Sequence, residues 1–309
     1  MCEANQTQVT QIYLLGFQDL YKFKFIFFVG FFLCYMLVLS GNLLIFTLVT
    51  TTDHLKIPMF IFLKHLAIAD VLLTTTVVPL MLHIILVDEG SLTFIGCIAQ
   101  LYCFGIFGCV QTFLIAAMSY DRYLAICIPL RYASLMNIHI CLQLFIGSWL
   151  LVVLLISSEV FVLCQFHFCG LNYIDHFFCD FGPIVELATS VKFNFMIQDI
   201  TTSVFVIACP FAFIVITYGC ISFAIMKISS ANGRRKAFST CSSHLTTVCT
   251  YYGTLITVYI VPTDYSSAKT NKYMSLLYLV VTPVMNPIIY SLRNKEIKRT
   301  LLKLLKRSL

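Results

Sequence analysis

Charge is what this sequence has least of. Twenty Lys and Arg with fourteen Asp and Glu make up 11% of 309 residues, against about 25% in an average soluble chain. So few charges cannot cover a water-facing surface, and 60% hydrophobic residues with a mean hydropathy of +0.91 exclude a soluble globule. G-x-x-x-x-G-K-[ST], H-E-x-x-H and G-x-S-x-G are all missing, which excludes a P-loop and the common hydrolase motifs. Internal repeats are missing too, as is any matched pair of broken helices in the two halves, and this weakens a transporter reading. No basic start leads into an apolar run within residues 1–24, so no cleavable signal peptide is expected and the first span serves as its own insertion signal.

What is present is a series of long uncharged gaps. Residues 25–52, 90–120, 132–158, 200–226 and 237–263 contain no Asp, Glu, Lys or Arg, and each exceeds the roughly 20 residues that cross a hydrocarbon core. Residues 273–292 form a sixth gap, and a seventh apolar stretch, 58–86, is crossed only by Lys64 and Asp70. Continuous runs of this length indicate helices, since barrel strands alternate over about ten residues. The fold class is therefore all-α integral membrane, a bundle of seven transmembrane helices.

Fifteen basic residues fall on one side of these spans: Lys56, Lys64, Arg122, Arg131, Lys227, Arg234, Arg235, Lys236, Arg293, Lys295, Lys298, Arg299, Lys303, Lys306 and Arg307. The other side holds five: Lys22, Lys24, Lys192, Lys269 and Lys272. Short cytoplasmic loops carry the excess, which puts the amino terminus outside and the carboxyl terminus inside. Asn5-Gln6-Thr7 is a sequon on the side assigned outside, making Asn5 the expected glycosylation site. The expected divisions are residues 1–24 outside, 25–290 as the membrane domain and 291–309 as a cytoplasmic tail.

Of fourteen cysteines, most lie within spans and read as small hydrophobes. Cys97, Cys169 and Cys179 face the oxidising side, where one disulfide and one leftover thiol are expected. His167, Cys169, His176 and Cys179 lack a C-x-x-C half, so no metal is expected. Ionisable groups inside a span are functional candidates, and Asp70 sits mid-span, with Asn42, Asn286 and Ser119 as residue types that could partner it. Asp121 beside Arg122 reads, on spacing alone, as an interfacial ion pair. Asn286-Pro287 with Tyr290 one turn later predicts a kink with freed carbonyls.

The chain resembles vertebrate olfactory receptors, a branch of the rhodopsin-like G-protein-coupled receptors. The resemblance is carried by Gly41-Asn42; by Pro58-Met59-Phe60-Ile61-Phe62-Leu63 and Leu66-Ala67-Ile68-Ala69-Asp70; and by Met118-Ser119-Tyr120-Asp121-Arg122-Tyr123-Leu124-Ala125-Ile126-Cys127. It continues through Lys236-Ala237-Phe238-Ser239-Thr240-Cys241-Ser242-Ser243-His244 and Pro283-Val284-Met285-Asn286-Pro287-Ile288-Ile289-Tyr290, so nearly the whole chain is covered.

This resemblance implies that Arg122 meets a G protein when the inner end of the sixth span swings outward, and that Asp121 restrains it at rest, with Tyr123 completing the motif. It implies supporting roles for Tyr218 and Tyr290, a basic inner rim of Arg234, Arg235 and Lys236, and a Cys97–Cys179 disulfide. The chain departs from the family at three places. Leu187-Ala188-Thr189-Ser190 lacks the cysteine that usually pairs with the one near 169, so a looser outer loop is expected. Gln111 stands where many members have glutamate, beside the polar cluster of Asn42, Asp70 and Asn286. Tyr251-Tyr252-Gly253 adds a hydroxyl at a position usually held by phenylalanine, and the sequence names no partner for it.

Leu101, Phe104, Gly105, Gly108, Cys109 and Thr112 recur at spacings of three and four in the outer half of the third span and share a face. The resemblance implies a small-molecule cavity there, faced by Thr202, Ser203 and Val206 of the fifth span and Tyr252, Leu255, Ile256 and Tyr259 of the sixth. Such a lining suits apolar, weakly polar ligands; Glu159 and Asp199 keep an amine open. After Tyr290, Ile297, Leu301, Leu304 and Leu305 share one helical face apart from most of the basic residues, which reads as an amphipathic helix on the inner membrane surface. The net charge of +6 is then met by anionic lipid rather than nucleic acid. The expectation is an odorant receptor raising cyclic AMP through a stimulatory G protein, with no cofactor, no chemistry on the ligand, and a trafficking chaperone as an optional partner. Alternatives are the same fold serving an amine or non-olfactory metabolite, and an ion or proton transporter using Asp70 and Glu159.

Overall fold

The computed structural model describes residues 9–17, 22–170, 172–189, 193–260 and 267–308. Seven long helices form the bundle: α1 (Lys24–Thr51), α2 (Pro58–Val87), α3 (Phe94–Cys127), α4 (Ile138–Leu163), α5 (Phe193–Ser203, Val204–Ala208 and Cys209–Met226), α6 (Ala231–Ile260) and α7 (Ser267–Leu276, Leu277–Val281 and Thr282–Arg293). An eighth, α8 (Lys295–Ser308), follows α7 directly. Among the described residues six helices are long and apolar enough to cross a membrane. The remaining helix, α6, has 30 residues, but buries Ser243, His244 and Thr247 along one face. That polar stripe lowers its hydropathy while serving contacts inside the bundle.

Helix ends differ from the uncharged gaps for local reasons. The gap beginning at residue 132 contains a separate short helix, Tyr132–Leu135; α4 starts only after Asn137, whose side chain accepts the Ile140 amide at 3.1 Å as an N-cap. At its other end α3 continues past Asp121 and Arg122 to Cys127, because backbone hydrogen bonding does not stop where side chains become charged.

Two wide turns were not legible beforehand. Val204–Ala208 and Leu277–Val281 are π-helical, and Pro210 and Pro283 follow them. A proline offers no amide and its ring crowds the carbonyl four residues earlier, so the preceding turn widens. Pro287 lies inside α7, and its ring packs so close to α1 that a Cβ added at Gly41 would sit 2.8 Å from the Pro287 Cβ. Only glycine lets the two helices approach this closely.

The end of the bundle that the sequence assigns to the outside carries a three-stranded sheet, ordered β2-β1-β3. β1 (Gln11–Leu14) runs antiparallel to β2 (Gly90–Thr93), with Gln11 opposite Thr93, and parallel to β3 (Tyr173–Ile174), with Tyr13 opposite Tyr173. Ile12 and Leu14 alternate inward and are fully buried, which explains why so short a strand holds. The strand extends through Leu15 and Gly16, whose amides donate to the Ile174 and His176 carbonyls at 3.0 and 3.1 Å.

Candidate functional site

Four clusters lie along the bundle from its outer to its inner end. The outermost is a roof over the helices. Phe177 and Phe178 are fully buried; Phe17 stacks on Phe177 at 5.1 Å, and Phe178 meets Phe104 of α3 at 4.8 Å. The Lys272 ammonium donates to the Gly16 carbonyl at 2.7 Å and to the Asp175 carboxylate, tying α7 to the loop and to the amino-terminal segment. His176 is buried against Phe177 and Phe178. Loss of hydration and the Lys272 charge lower its pKa to about 3, so the ring is neutral at physiological pH. Cys97 and Cys179 form a disulfide, with a Cα–Cα distance of 5.4 Å, as the resemblance implied. Gln100 of α3 reinforces it, accepting the Cys179 amide at 2.9 Å and donating to the Thr76 carbonyl at 2.9 Å.

Hydrogen bonds hold the leg of the loop that lacks the cysteine. The Thr189 amide and hydroxyl both reach the His167 carbonyl, at 3.1 and 3.0 Å, and Phe168 bridges Ala188. The expected leftover thiol is a further correction, because Cys169 is disulfide-bonded.

Beneath the roof lies the expected cavity face of α3, and the helix distributes these residues unequally. Phe104 contacts Phe178 and Tyr278. Gly105 points instead at α4, where an added Cβ would lie 3.3 Å from Ile156. Gly108 admits α7: an added Cβ would fall 2.7 Å from the Tyr278 hydroxyl. Cys109 is half-buried, and the Thr112 hydroxyl donates to the Cys109 carbonyl at 2.6 Å. On α5, Thr202 and Val206 are buried, whereas Ser203 is exposed. Residues four apart share a face and the next residue lies about 100° round the helix, so Ser203 does not join them. On α6, Tyr252 and Leu255 are buried while Ile256 is 44% exposed; the Tyr259 side chain lies outside the described residues, as does Asn5.

Glu159 of α4 is 7% exposed, and its Oε1 has no hydrogen-bond partner. Thr202 lies beside this carboxyl, and Asp199 and Cys109 are also near it. A separate apolar cleft of about 400 Å³, lined by Ile95, Ile98, Tyr102, Val160 and Phe161 among others, opens between the outer ends of α3 and α4.

The hydroxyl of Tyr251, unassigned from sequence, donates to the Gly108 carbonyl at 3.0 Å. It therefore links α6 to α3 at the floor of this region. Below it Asp70 is fully buried and accepts from Asn286 at 2.8 Å and from Gln111 at 3.1 Å. The other two expected partners are engaged elsewhere. Asn42 donates to the Pro283 and Val38 carbonyls at 3.1 and 3.0 Å, meeting the carbonyls freed around the α7 prolines, and the Ser119 hydroxyl pairs with Thr217 of α5.

The inner cluster centres on Arg122, which is 8% exposed. Its Nε donates to the Asp121 carboxylate at 2.9 Å and its second guanidinium nitrogen donates to the same oxygen. The other Asp121 oxygen accepts the Tyr132 hydroxyl at 2.7 Å. Tyr132 escaped the sequence reading; its signal was the gap 132–158, which was read only as helix. His244, named in the sequence only as the end of the span-six motif, has a role there too. Its Nε2 lies 3.1 Å from the Ile115 carbonyl, which can only accept, so Nε2 donates there and Nδ1 accepts a hydrogen bond from the Tyr218 hydroxyl at 2.7 Å. Tyr290 is fully buried, with Thr247 beside its hydroxyl. Tyr123 is half-buried against Tyr120. Arg234 donates to the Ile228 carbonyl at 2.9 Å, Arg235 is exposed, and the Lys236 side chain lies outside the described residues.

Comparison with known proteins gives the family and the fold. A family model described as olfactory receptor matches residues 31–308. The human Olfactory receptor 10A3 is 39% identical, covering 99% of this chain and 98% of its own length. Olfactory receptor 11L1 from the same species is 42% identical, covering 98% and 94%, and the mouse Olfactory receptor 5P81 is 42% identical, covering 97% and 96%. The crystal structure of squid rhodopsin superposes with a TM-score of 0.73 over 94% of this chain and 87% of that one, at 18% identity; it is similar in fold.

Proposed function

The chain belongs to the olfactory receptor family, and on that premise we propose that it is an odorant receptor whose ligand is a small, mostly apolar molecule. The ligand sits under the aromatic roof between α3, α5 and α6, against Phe104, Cys109, Thr112, Thr202, Val206, Tyr252 and Leu255. Its binding favours an arrangement in which α6 moves away from Arg122, and the exposed guanidinium engages a stimulatory G protein that raises cyclic AMP. Nothing is done chemically to the ligand. A ligand shifts such an equilibrium only by its difference in affinity for the two states.

The observation that carries this reading is the restrained Arg122. A guanidinium buried at the inner end of α3 and held by a carboxylate that Tyr132 also grips is the resting half of a two-state device. The outer half of the same helix carries the roof contact Phe104–Phe178, so ligand and G protein act on one rigid element. The amino terminus is taken to face outward at the plasma membrane with a glycan on Asn5, and α8 to lie on the inner lipid surface. Ile297 and Thr300 are buried there, with Thr300 bonded to His54 at 3.0 Å.

The test is cyclic AMP output across acids, alcohols, aldehydes, ketones, esters, aromatics and amines, with surface display measured through an amino-terminal tag. Dose-dependent responses that vanish in Arg122→Ala at equal display are expected. Normal signalling by that variant defeats the assignment. An amine ligand is the second reading, favoured by the buried Glu159 carboxyl with its unpartnered oxygen. In that case Glu159→Gln abolishes amine responses and spares neutral ones.

A further inference from the structure

Among the described residues Lys272 is the only buried lysine, 5% exposed. An ammonium taken out of water costs free energy unless oxygens replace its hydration, and the two that do so here come from different segments. The Gly16 carbonyl accepts at 2.7 Å, and the Asp175 carboxylate accepts beside it. One cation on α7 therefore holds the amino-terminal strand and the outer loop at once. We propose that Lys272 is the latch of a lid: it keeps the strap of residues 11–17 and the loop of residues 173–178 closed over the ligand site, and so sets how fast a ligand enters and leaves.

The contacts around the latch define what it holds. The Leu15 and Gly16 amides donate to the Ile174 and His176 carbonyls at 3.0 and 3.1 Å, so strap and loop move as one piece. Phe17 stacks on Phe177 at 5.1 Å and tilts against Tyr273, the residue after Lys272, at 6.0 Å. The strap turns at Gly16, where φ is +58° and an added Cβ would fall 2.3 Å from the Ile84 Cγ2 of α2. Glycine is what lets this carbonyl reach Lys272. Underneath, Phe177 packs on Phe178 at 5.0 Å, and Phe178 meets Phe104 at 4.8 Å, at the top of the α3 stripe.

The latch is built to release. The Asp175 side chain is 46% exposed, so water solvates the carboxylate as the ammonium leaves it. The far end of the loop cannot follow, because Cys179 is bridged to Cys97 and its amide is held by Gln100 at 2.9 Å. The lid accordingly hinges at Cys179 and opens at Asp175, carrying Phe177 and Phe178 off the mouth of the bundle. Lys272 acts on the ligand through Asp175, Gly16 and Phe178, which makes it a positioning residue. The latch stands on this geometry alone, whereas its effect on ligand kinetics rests on the odorant reading above.

The first test is hydrogen exchange, read by mass spectrometry, on the full-length receptor in detergent, wild type against Lys272→Met. Exchange of a protected amide reports the opening that exposes it, and one hydrogen bond to a charged group is worth a factor of about ten or more. Exchange in residues 12–16 and 174–177 should quicken at least about tenfold, while α1 and the inner half of α3 stay unchanged. Asp175→Asn should give a smaller rise in the same two segments, and adding it to Lys272→Met should give no more. Unchanged exchange there overturns the latch, and so does a rise shared equally by the helices, which is the mark of a merely destabilised bundle. If Lys272→Met cannot be purified, Asp175→Asn decides by the same criterion. In cells, an agonist from the panel is then washed away and the decay of G-protein activation followed with an energy-transfer reporter. At equal display Lys272→Met should decay faster by about the factor seen in exchange, with its maximal response retained. Faster exchange with unchanged decay overturns the role in ligand release. A displayed wild-type receptor that answers no odorant refutes the odorant reading instead, and the exchange result still decides the latch.

Discussion

Removing the Tyr132 hydroxyl should raise signalling without any ligand. That hydroxyl donates to one Asp121 oxygen at 2.7 Å while the other oxygen holds Arg122. A hydrogen bond to a charged group contributes about 1.5–3 kcal/mol. Tyr132 is only half-buried, so the low end of that range applies. If the bond exists in the resting state alone, its loss shifts the equilibrium roughly tenfold, since 1.4 kcal/mol corresponds to a factor of ten. A receptor resting near 1:99 would move to about 1:10. The assay is basal cyclic AMP in Tyr132→Phe, normalised to surface display, with the maximal agonist response unchanged. Asp121→Asn should raise basal output at least as much, and the double variant should add little to it, because both changes act on one restraint. Unchanged basal output at normal display refutes the restraint, and full additivity refutes the shared carboxylate.

Tyr251→Phe should lower the thermal midpoint of the detergent-solubilised receptor through a loss of roughly 0.6–1.5 kcal/mol, the usual range for one interhelical hydrogen bond in a membrane protein. Tyr252→Phe, whose hydroxyl has no hydrogen-bond partner, should not, and equal losses would contradict the Gly108 contact. Gly41→Ala places a methyl 2.8 Å from the Pro287 Cβ, whereas a Cβ at Gly30 meets nothing within 4 Å. Surface display should therefore fall for the first, by an overpacking cost of about 1–3 kcal/mol, and hold for the second. His176 is held neutral in the fold, with a pKa near 3 against 6.5 unfolded. Its contribution is thus fully present above pH 6.5 and is lost as pH falls toward 3, which amounts to about 2 kcal/mol at pH 5. His176→Gln should flatten the dependence of the unfolding midpoint on pH between 7 and 5; an unchanged slope counts against the burial argument.

Much of this protein could be read without coordinates, because a membrane imposes one-dimensional rules. The uncharged gaps locate the spans, the asymmetry of Lys and Arg sets their expected orientation, and the extended motifs 118–127 and 236–244 mark the family, now shown by the olfactory receptor match over residues 31–308. Each of these is a property of a single stretch of chain. Helical spacing also found the α3 stripe, but spacing cannot say which neighbour a face meets. Gly105 turned out to face Ile156 of α4, and Ser203 and Ile256 lay off the buried faces of their helices.

Pairing across the bundle was decided only in three dimensions. Of three residue types suited to Asp70, Asn286 met it, Gln111 joined it, and Asn42 and Ser119 were taken by Pro283 and Thr217. The Tyr251 hydroxyl found Gly108, Tyr218 found His244, and a strand no motif announced joined Tyr13 to Tyr173. The physical reason is shared: burial in lipid can be summed residue by residue along a sequence, but a hydrogen bond between helices depends on the rotation and depth of both, and those are set by how every side chain packs at once.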